Sequence, residues 1–311
     1  MASKSDDLKV VTGIGDDCAV LRLRQTNDIL VTTDFTLENV HFRREWHSPE
    51  SVGHRCLVRG LSDIAAMGGR PSAAFLSLAV PPKLPQSWVD RFFRGLLKLA
   101  RESNVTLSGG DTSQSPSKIL ADVIVLGCVP KGTAVLRSGA RPGDRIYATG
   151  AIGGSAATLS LLYSSKRKGV NSQLSQRYFF PEPRIRVGQI LRQKKIPSSM
   201  IDLSDGLSTD LSHLCEDSGV GAEIWAASIP RAVTGKSAKP IALDLALHGG
   251  EDYELLFTAS PRQRVPPRVG GVAVSYIGEI TSRKQISLIH QNGSSSLLEP
   301  RGWEHFRRRD S

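Results

Sequence analysis

The sequence predicts a mixed α/β (α+β) chain of two domains. Three observations carry this reading. Strand and helix signals alternate along the whole of the 311 residues. No internal repeat or heptad pattern interrupts them, and a Gly/Pro/Arg-rich stretch over 131–144 divides them into halves. The boundaries expected are 1–135 and 136–311. In the first half, Ile29-Leu30-Val31-Thr32-Thr33 is a β-branched run that stops at Asp34. Residues 49–66 read as a helix, with Val52, Cys56, Leu57 and Ile64 near one face. Residues 72–80 read as a strand closed by Pro81-Pro82. The clearest helix is 87–102, where Val89, Phe92, Phe93, Leu96, Leu97 and Ala100 follow the i, i+3, i+4, i+7 pattern. Short strands are expected over 105–107 and 122–129. The second half opens with a strand over 145–149, the turn Gly150-Ala151-Ile152-Gly153-Gly154, and a helix from Ser155. The polar stretch 164–176 lacks helical periodicity and reads as a surface loop. A strand over 201–203 leads to a helix over 207–217, with Leu207, Leu211, Leu214 and Cys215 on one face. Further strands are expected over 221–226 and 253–258.

Composition narrows the class. Hydrophobic residues at 40% and charged residues at 23% describe a globular chain, not a disordered one. The 29 glycines are about 9% of the chain against a usual ~7%, which points to tight loops and close backbone approaches. No apolar run reaches the ~18 residues of a membrane span. The start has no apolar segment of the signal-peptide kind, so a cytoplasmic protein without membrane partners is expected. Cys18, Cys56, Cys128 and Cys215 lie far apart, with no C-x-x-C, and read as buried thiols in a reducing compartment. The net charge of +10 raises the question of nucleic acid. Its basic residues are scattered, apart from Lys166-Arg167-Lys168 and Arg307-Arg308-Arg309, and only 6% of residues are aromatic. A nucleic-acid partner is therefore not expected, and small anionic substrates suit this charge better.

The acids are placed unevenly. Asp16-Asp17 follows Gly13-Ile14-Gly15, Asp34 follows Thr32-Thr33, and Asp63 follows Leu61-Ser62. Asp111 follows Gly109-Gly110, Asp202 and Asp205 bracket Leu203-Ser204, and Glu251-Asp252 follows Gly249-Gly250. An Asp beside Gly is usually only a turn residue. So many at strand ends and Gly-rich turns of a basic chain point to a binding site. Carboxylates converging at ~4 Å repel by about 4 kcal/mol per pair at an effective dielectric of 20, so cations would be needed. Oxygen ligands without His or Cys suit Mg²⁺ rather than Zn²⁺, and Mg²⁺ commonly shares its shell with substrate phosphates.

Several motifs fail. Gly235-Lys236-Ser237 mimics the end of a phosphate-binding loop, but the glycine required five positions earlier is Pro230. The Gly150 to Gly154 turn could receive a phosphate at the following helix N-terminus or be only a tight turn. His41, His54, His213 and His248 are isolated and read as structural or surface groups; His41 stands out because it follows Asp34 by seven residues.

The strings GIGDDCAVL (13–21), VTTDFTLENVHF (31–42), LSDIAAMGG (61–69), SGGDTS (108–113), LRSGARPGD (136–144), IDLSDGLSTDLSHL (201–214) and GGEDYELLFT (249–258) occur in this order. As an ordered set they resemble the thiamine-monophosphate kinases of the aminoimidazole-ribonucleotide-synthetase (PurM-like) superfamily, from about Gly13 to Gly302-Trp303-Glu304-His305-Phe306. The resemblance implies ATP-dependent phosphorylation of thiamine monophosphate to thiamine diphosphate. By motif, Asp17, Thr32, Thr33, Asp34, Asp63, Asp111, Asp202 and Asp205 would form a shell for several Mg²⁺ ions. Gly110, Asp111, Arg137 and Ser204 would contact ATP, and His41, Glu251 and Trp303 the thiamine monophosphate. Trp303 would offer a π face to the thiazolium or pyrimidine; its other reading is packing at the domain edge. The resemblance also implies a homodimer whose N-terminal mixed sheets form a shared barrel, with a C-terminal α/β domain. The chain departs from the pattern at Gly60, Gln114, Gly154 and His248, where the family usually has Asn, Arg, Asp and Ser. Alternatives are another ATP-dependent enzyme of the superfamily, or an inactive paralogue with a basic, anion-binding surface.

Overall fold

The computed structural model describes residues 9–12, 16–22, 26–164, 172–234 and 238–303. Two expectations fall outside these: the basic runs 166–168 and 307–309, and the Gly235-Lys236-Ser237 string. The chain divides into two compact units, Met1–Ala134 with Phe179–Arg192, and Val135–Tyr178 with Gln193–Ser311.

The first unit is a six-stranded sheet with helices packed on one face. In chain order it contains β1 (Lys9–Thr12), β2 (Ala19–Arg22), β3 (Asn27–Leu37), α1 (Pro49–Ala66), β4 (Arg70–Val80), α2 (Gln86–Glu102), β5 (Thr106–Gln114) and β6 (Leu120–Pro130). The strand order is β1-β2-β3-β6-β4-β5. All pairings are antiparallel except β4 with β5, the pair joined through α2. Ser48 caps α1, accepting the Ser51 N–H at 3.2 Å, and Pro49 follows where its missing N–H costs nothing. Most of α1 is buried because the sheet covers one side and α2 the other.

Three elements differ from the sequence reading. Asp34 does not end its strand: β3 runs to Leu37 because β6 pairs with it throughout, from Asn27↔Pro130 to Leu37↔Leu120. The Ser108-Gly109-Gly110-Asp111 string is not a turn. It lies inside β5, held in register by β4, with an irregularity opposite Ala74/Phe75. Part of the expected 164–176 loop is helical, since a helix begins at Ser172.

The remaining elements are β7 (Arg145–Thr149), α3 (Gly154–Tyr163), α4 (Ser172–Phe179), α5 (Ile185–Gln193), β8 (Ser199–Asp202), α6 (Leu207–Ser218), β9 (Gly221–Trp225), β10 (Val233–Thr234), β11 (Lys239–Pro240), α7 (Leu243–His248), β12 (Leu255–Ala259), β13 (Arg268–Val269), β14 (Val272–Thr281), β15 (Ile286–Ile289) and β16 (Ser295–Leu297). In the second unit the main sheet runs β16-β15-β9-β14-β7-β12-β8, with β13 paired to β14. Within this sheet β15 and β9 pair in parallel, and the other described pairs are antiparallel. Its core joins Ile146, Ile201, Leu211, Leu214, Ile224, Leu256 and Ile277, all buried. β12 is buried along its whole length, so no alternation announces it in sequence.

Cys18, Cys56 and Cys215 are buried thiols, and burial pushes both Cys56 and Cys215 up to about 12. Cys128 corrects the expectation of four buried thiols: it is half-buried, with the Arg70 guanidinium 3.8 Å from its sulfur. Among the described residues no helix is long and apolar enough to cross a membrane.

Candidate functional site

In the first unit, side-chain alternation along β3 divides the proposed ligands between two faces. Thr32 and Asp34 face α1. The Thr32 hydroxyl donates to Asp63 of α1, and the Arg59 guanidinium lies 3.5 Å from Asp34. Asp63 lies beside the Asp34 carboxyl. Burial raises the Asp34 carboxyl above its ordinary value, while Arg59 pulls it down. One carboxylate oxygen each of Asp17 and Asp63 come within 4.8 Å. Asp17 is 7% exposed, and its backbone N–H donates to Asp16 Oδ1 at 2.9 Å.

Thr33 points the other way, and its hydroxyl donates to Asp122 Oδ1 at 2.7 Å. Asp111 shares that face, because the register runs Phe35↔Asp122↔Ser77↔Asp111 across four strands. Its carboxylate accepts the Thr112 N–H at 2.8 Å, beside Gly110 in an open cleft of about 470 Å³. Thr33 and Asp111 are thus apart from the Thr32–Asp34–Asp63 group. Asp122 was missed by motif reading, since an Asp opening an apolar strand carries no turn signal. His41 lies in the turn after β3, its Nδ1 accepting the Leu37 N–H at 3.0 Å. Its ring proton therefore belongs to Nε2.

In the second unit three segments meet at the Leu203–Gly206 turn between β8 and α6. Leu203 N–H donates to Glu254 O at 2.8 Å, Tyr253 N–H to Leu203 O at 3.0 Å, and Glu251 N–H to Ser204 O at 2.7 Å. Glu251 and Tyr253 hold left-handed backbone at φ 66 and 51, conformations that cost non-glycine residues of order 1 kcal/mol each. On the other side Trp303 N–H donates to Asp205 O at 3.1 Å. Asp202, Ser204, Asp205, Glu251 and Trp303 are thereby brought together. Arg137 flanks them, since its neighbour Leu136 accepts the Met200 N–H at 2.9 Å, two residues before Asp202.

The organiser of this turn is a residue the motif reading passed over. Buried Asp210 accepts the N–H groups of Asp205 and Gly206 at 3.2 and 3.0 Å. Burial, then the charges of Asp205 and Asp202, raise its carboxyl well above the ordinary range. An acid one turn into a helix is common enough to hide in sequence. The Gly150 to Gly154 turn resolves towards the tight-turn reading. Asp252 accepts the Gly153 N–H and, at 3.1 Å, the Ser155 N–H, so a carboxylate occupies the α3 N-terminus. Burial pushes that carboxyl up to about 7.

The acidic groups of each unit offer only carboxylate and hydroxyl oxygens, the donor set of a hard cation, and in the second unit the charges of Asp205 and Asp202 add to burial in raising the Asp210 carboxyl. These residues fit magnesium.

Residues 15–129 match the family model described as AIR synthase related protein, N-terminal domain, and residues 141–291 match the corresponding C-terminal domain. The thiamine-monophosphate kinase of Bacillus subtilis is 36% identical over 310 residues, 96% of this chain and 94% of the relative. That of Escherichia coli strain K12 is 36% identical over 312 residues, 97% of this chain and 94% of the relative. Among solved structures, AaThiL complexed with AMPPCP and TMP is similar to the chain with a TM-score of 0.83 and 33% identity, covering 94% of this chain and 92% of the other.

Proposed function

The chain belongs to the thiamine-monophosphate kinases within the AIR synthase related proteins, and from that premise we infer that it transfers the terminal phosphoryl group of ATP to thiamine monophosphate, giving thiamine diphosphate and ADP. The observation that carries this is the full-length likeness to a structure holding AMPPCP and TMP.

An oxygen of the thiamine phosphate attacks the γ-phosphorus of ATP, and the bond to the β–γ bridging oxygen breaks with ADP leaving. The acceptor's second pKa of about 6 leaves it largely ionised at pH 7, so no general base is needed. The difficulty is bringing two polyanions together. We assign Asp17, Thr32, Asp34 and Asp63 of the first unit, and Asp202 and Asp205 of the second, as the groups that would hold magnesium. Thr33 and Asp111 complete the proposed set from the other sheet face. Magnesium so held would neutralise phosphate charge and align an in-line displacement. Arg137, Ser204, Gly110 and Asp111 are assigned to ATP. His41, through Nε2–H, Glu251 and Trp303 are assigned to thiamine monophosphate. Domain spans of 1–135 and 136–311 are kept as the proposal in chain order, with Phe179–Arg192 grouped with the first unit. A cytoplasmic site of action suits four unbridged cysteines.

The test is formation of ADP and thiamine diphosphate from ATP and thiamine monophosphate, with Mg²⁺ or with EDTA. Equal amounts of both products, lost in EDTA, are expected. ADP without thiamine diphosphate, or neither product from folded protein, would overturn the reading.

We also propose a homodimer through the sheet of the first unit. On the face turned away from α1, Phe35, Leu120 and Ile124 are 55%, 38% and 36% exposed. Large apolar side chains left in water together on one sheet face, here beside the polar Thr33, Asp122 and Asp111, are a recognised mark of association. Light scattering should give a dimer for the natural chain and a monomer for Phe35→Asp. A monomeric natural chain would reject the proposal.

A further inference from the structure

His248 and Arg301 lie in none of the assigned groups, yet they join three separate pieces of the second unit. His248 ends α7, and its Nδ1 is 2.8 Å from the Ser208 hydroxyl at the start of α6. Its Nε2 is 2.9 Å from the Arg301 guanidinium, just before Trp303. A guanidinium can only donate, so Nε2 must accept. The imidazole is then neutral with its proton on Nδ1, donating to Ser208. Burial, with Arg301 beside the ring, holds the imidazole below its ordinary value, which agrees with that state. Asp244, one turn back on α7, lies 3.6 Å from both the imidazole and the guanidinium and offsets the positive charge.

The same segment is pinned along its backbone. Arg301 N–H donates to the Ser208 hydroxyl at a long 3.4 Å, Gly302 N–H to Thr209 Oγ1 at 3.0 Å, and Trp303 N–H to Asp205 O. A Cβ at position 302 would sit 2.1 Å from Asp205 O, so only glycine permits this approach. Three successive residues are thus held, two to the first turn of α6 and one to the turn before it that carries Ser204 and Asp205, while Trp303 remains 37% exposed. The Arg301 side chain is the strut that braces this lattice against α7.

We propose that His248 and Arg301 are positioning residues that clamp the 301–303 segment onto the Asp205 turn and so set Trp303 for the thiamine substrate, leaving ATP binding untouched. The substrate half of this rests on the function inferred above; the clamp itself does not. The expected dependence is one-sided because the braced segment carries only Trp303, while Asp210 holds the turn that carries Ser204 and Asp205 independently of it.

The test combines amide hydrogen exchange over 301–303 with steady-state kinetics on the full chain. His248→Ala and Arg301→Ala should speed exchange of the Gly302 and Trp303 amides. They should raise KM for thiamine monophosphate about tenfold, with kcat and KM for ATP changed less than about twofold. His248→Gln, whose amide oxygen can accept from Arg301, should restore both readouts. A role in folding alone would lower Tm and would not split the two KM values. Unchanged exchange in both alanine variants overturns the clamp. Faster exchange with an unchanged KM for thiamine monophosphate overturns its positioning role. If the natural chain fails to turn over thiamine monophosphate, the functional reading falls while exchange still decides the clamp.

Discussion

Replacing Asp34 by Asn should lower kcat by about 10³-fold or more at saturating ATP and thiamine monophosphate, with a near-natural circular dichroism spectrum. The amide keeps the shape of the carboxylate and removes its charge. Asp34 lies within β3, facing α1, where it sits beside Asp63 and has Arg59 at 3.5 Å. A hard cation there depends on anionic oxygen, and an amide oxygen is a much weaker ligand. Part of the loss should return on raising Mg²⁺, because weaker binding is answered by mass action. A variant within tenfold of the natural kcat would remove Asp34 from the proposed magnesium set.

The largest effect on stability is expected from Gly95→Ala. Helix propensity alone predicts a gain of up to about 1 kcal/mol for this change in mid-helix. The packing predicts the reverse. A Cβ on Gly95 would lie 1.9 Å from the Glu50 carbonyl oxygen, and one on Gly53 would lie 2.0 Å from the Phe92 carbonyl oxygen. Helices α1 and α2 meet backbone to backbone at both points, and backbone cannot swing aside as a side chain can. Forcing them apart should cost about 3 kcal/mol and lower Tm by roughly 6 °C or more. An unchanged or higher Tm would show that the crossing yields to an added methyl group.

Helices α1 and α2 were legible because long apolar patterns with end signals suffice for them. Pro49 opens the first, and Val89 to Ala100 mark the face of the second. The end of β3 was not legible, because Asp34 reads as a strand stop until β6 is placed beside it. The start of strand β5 was legible at 105–107, but its continuation to Gln114 was hidden for the same reason: Ser-Gly-Gly-Asp-Thr has little strand propensity, and β4 imposes the extended form. The proposed ligands were legible as residue types. Their division between sheet faces was not, because Thr32 and Thr33 are neighbours in sequence but opposite in a strand.

The sequence by itself determined the α/β alternation, the ordered acidic and glycine strings that identify the family, and the all-oxygen character of the acidic groups. These are local properties, written in residue type and spacing. Only the tertiary structure decided that Asp252 fills the α3 N-terminus, that Asp210 holds the Asp205 turn, and that Arg301 reaches His248 across 53 positions of chain. Each depends on which backbone donors and charges arrive beside a side chain from distant elements, and a linear pattern carries no record of those neighbours.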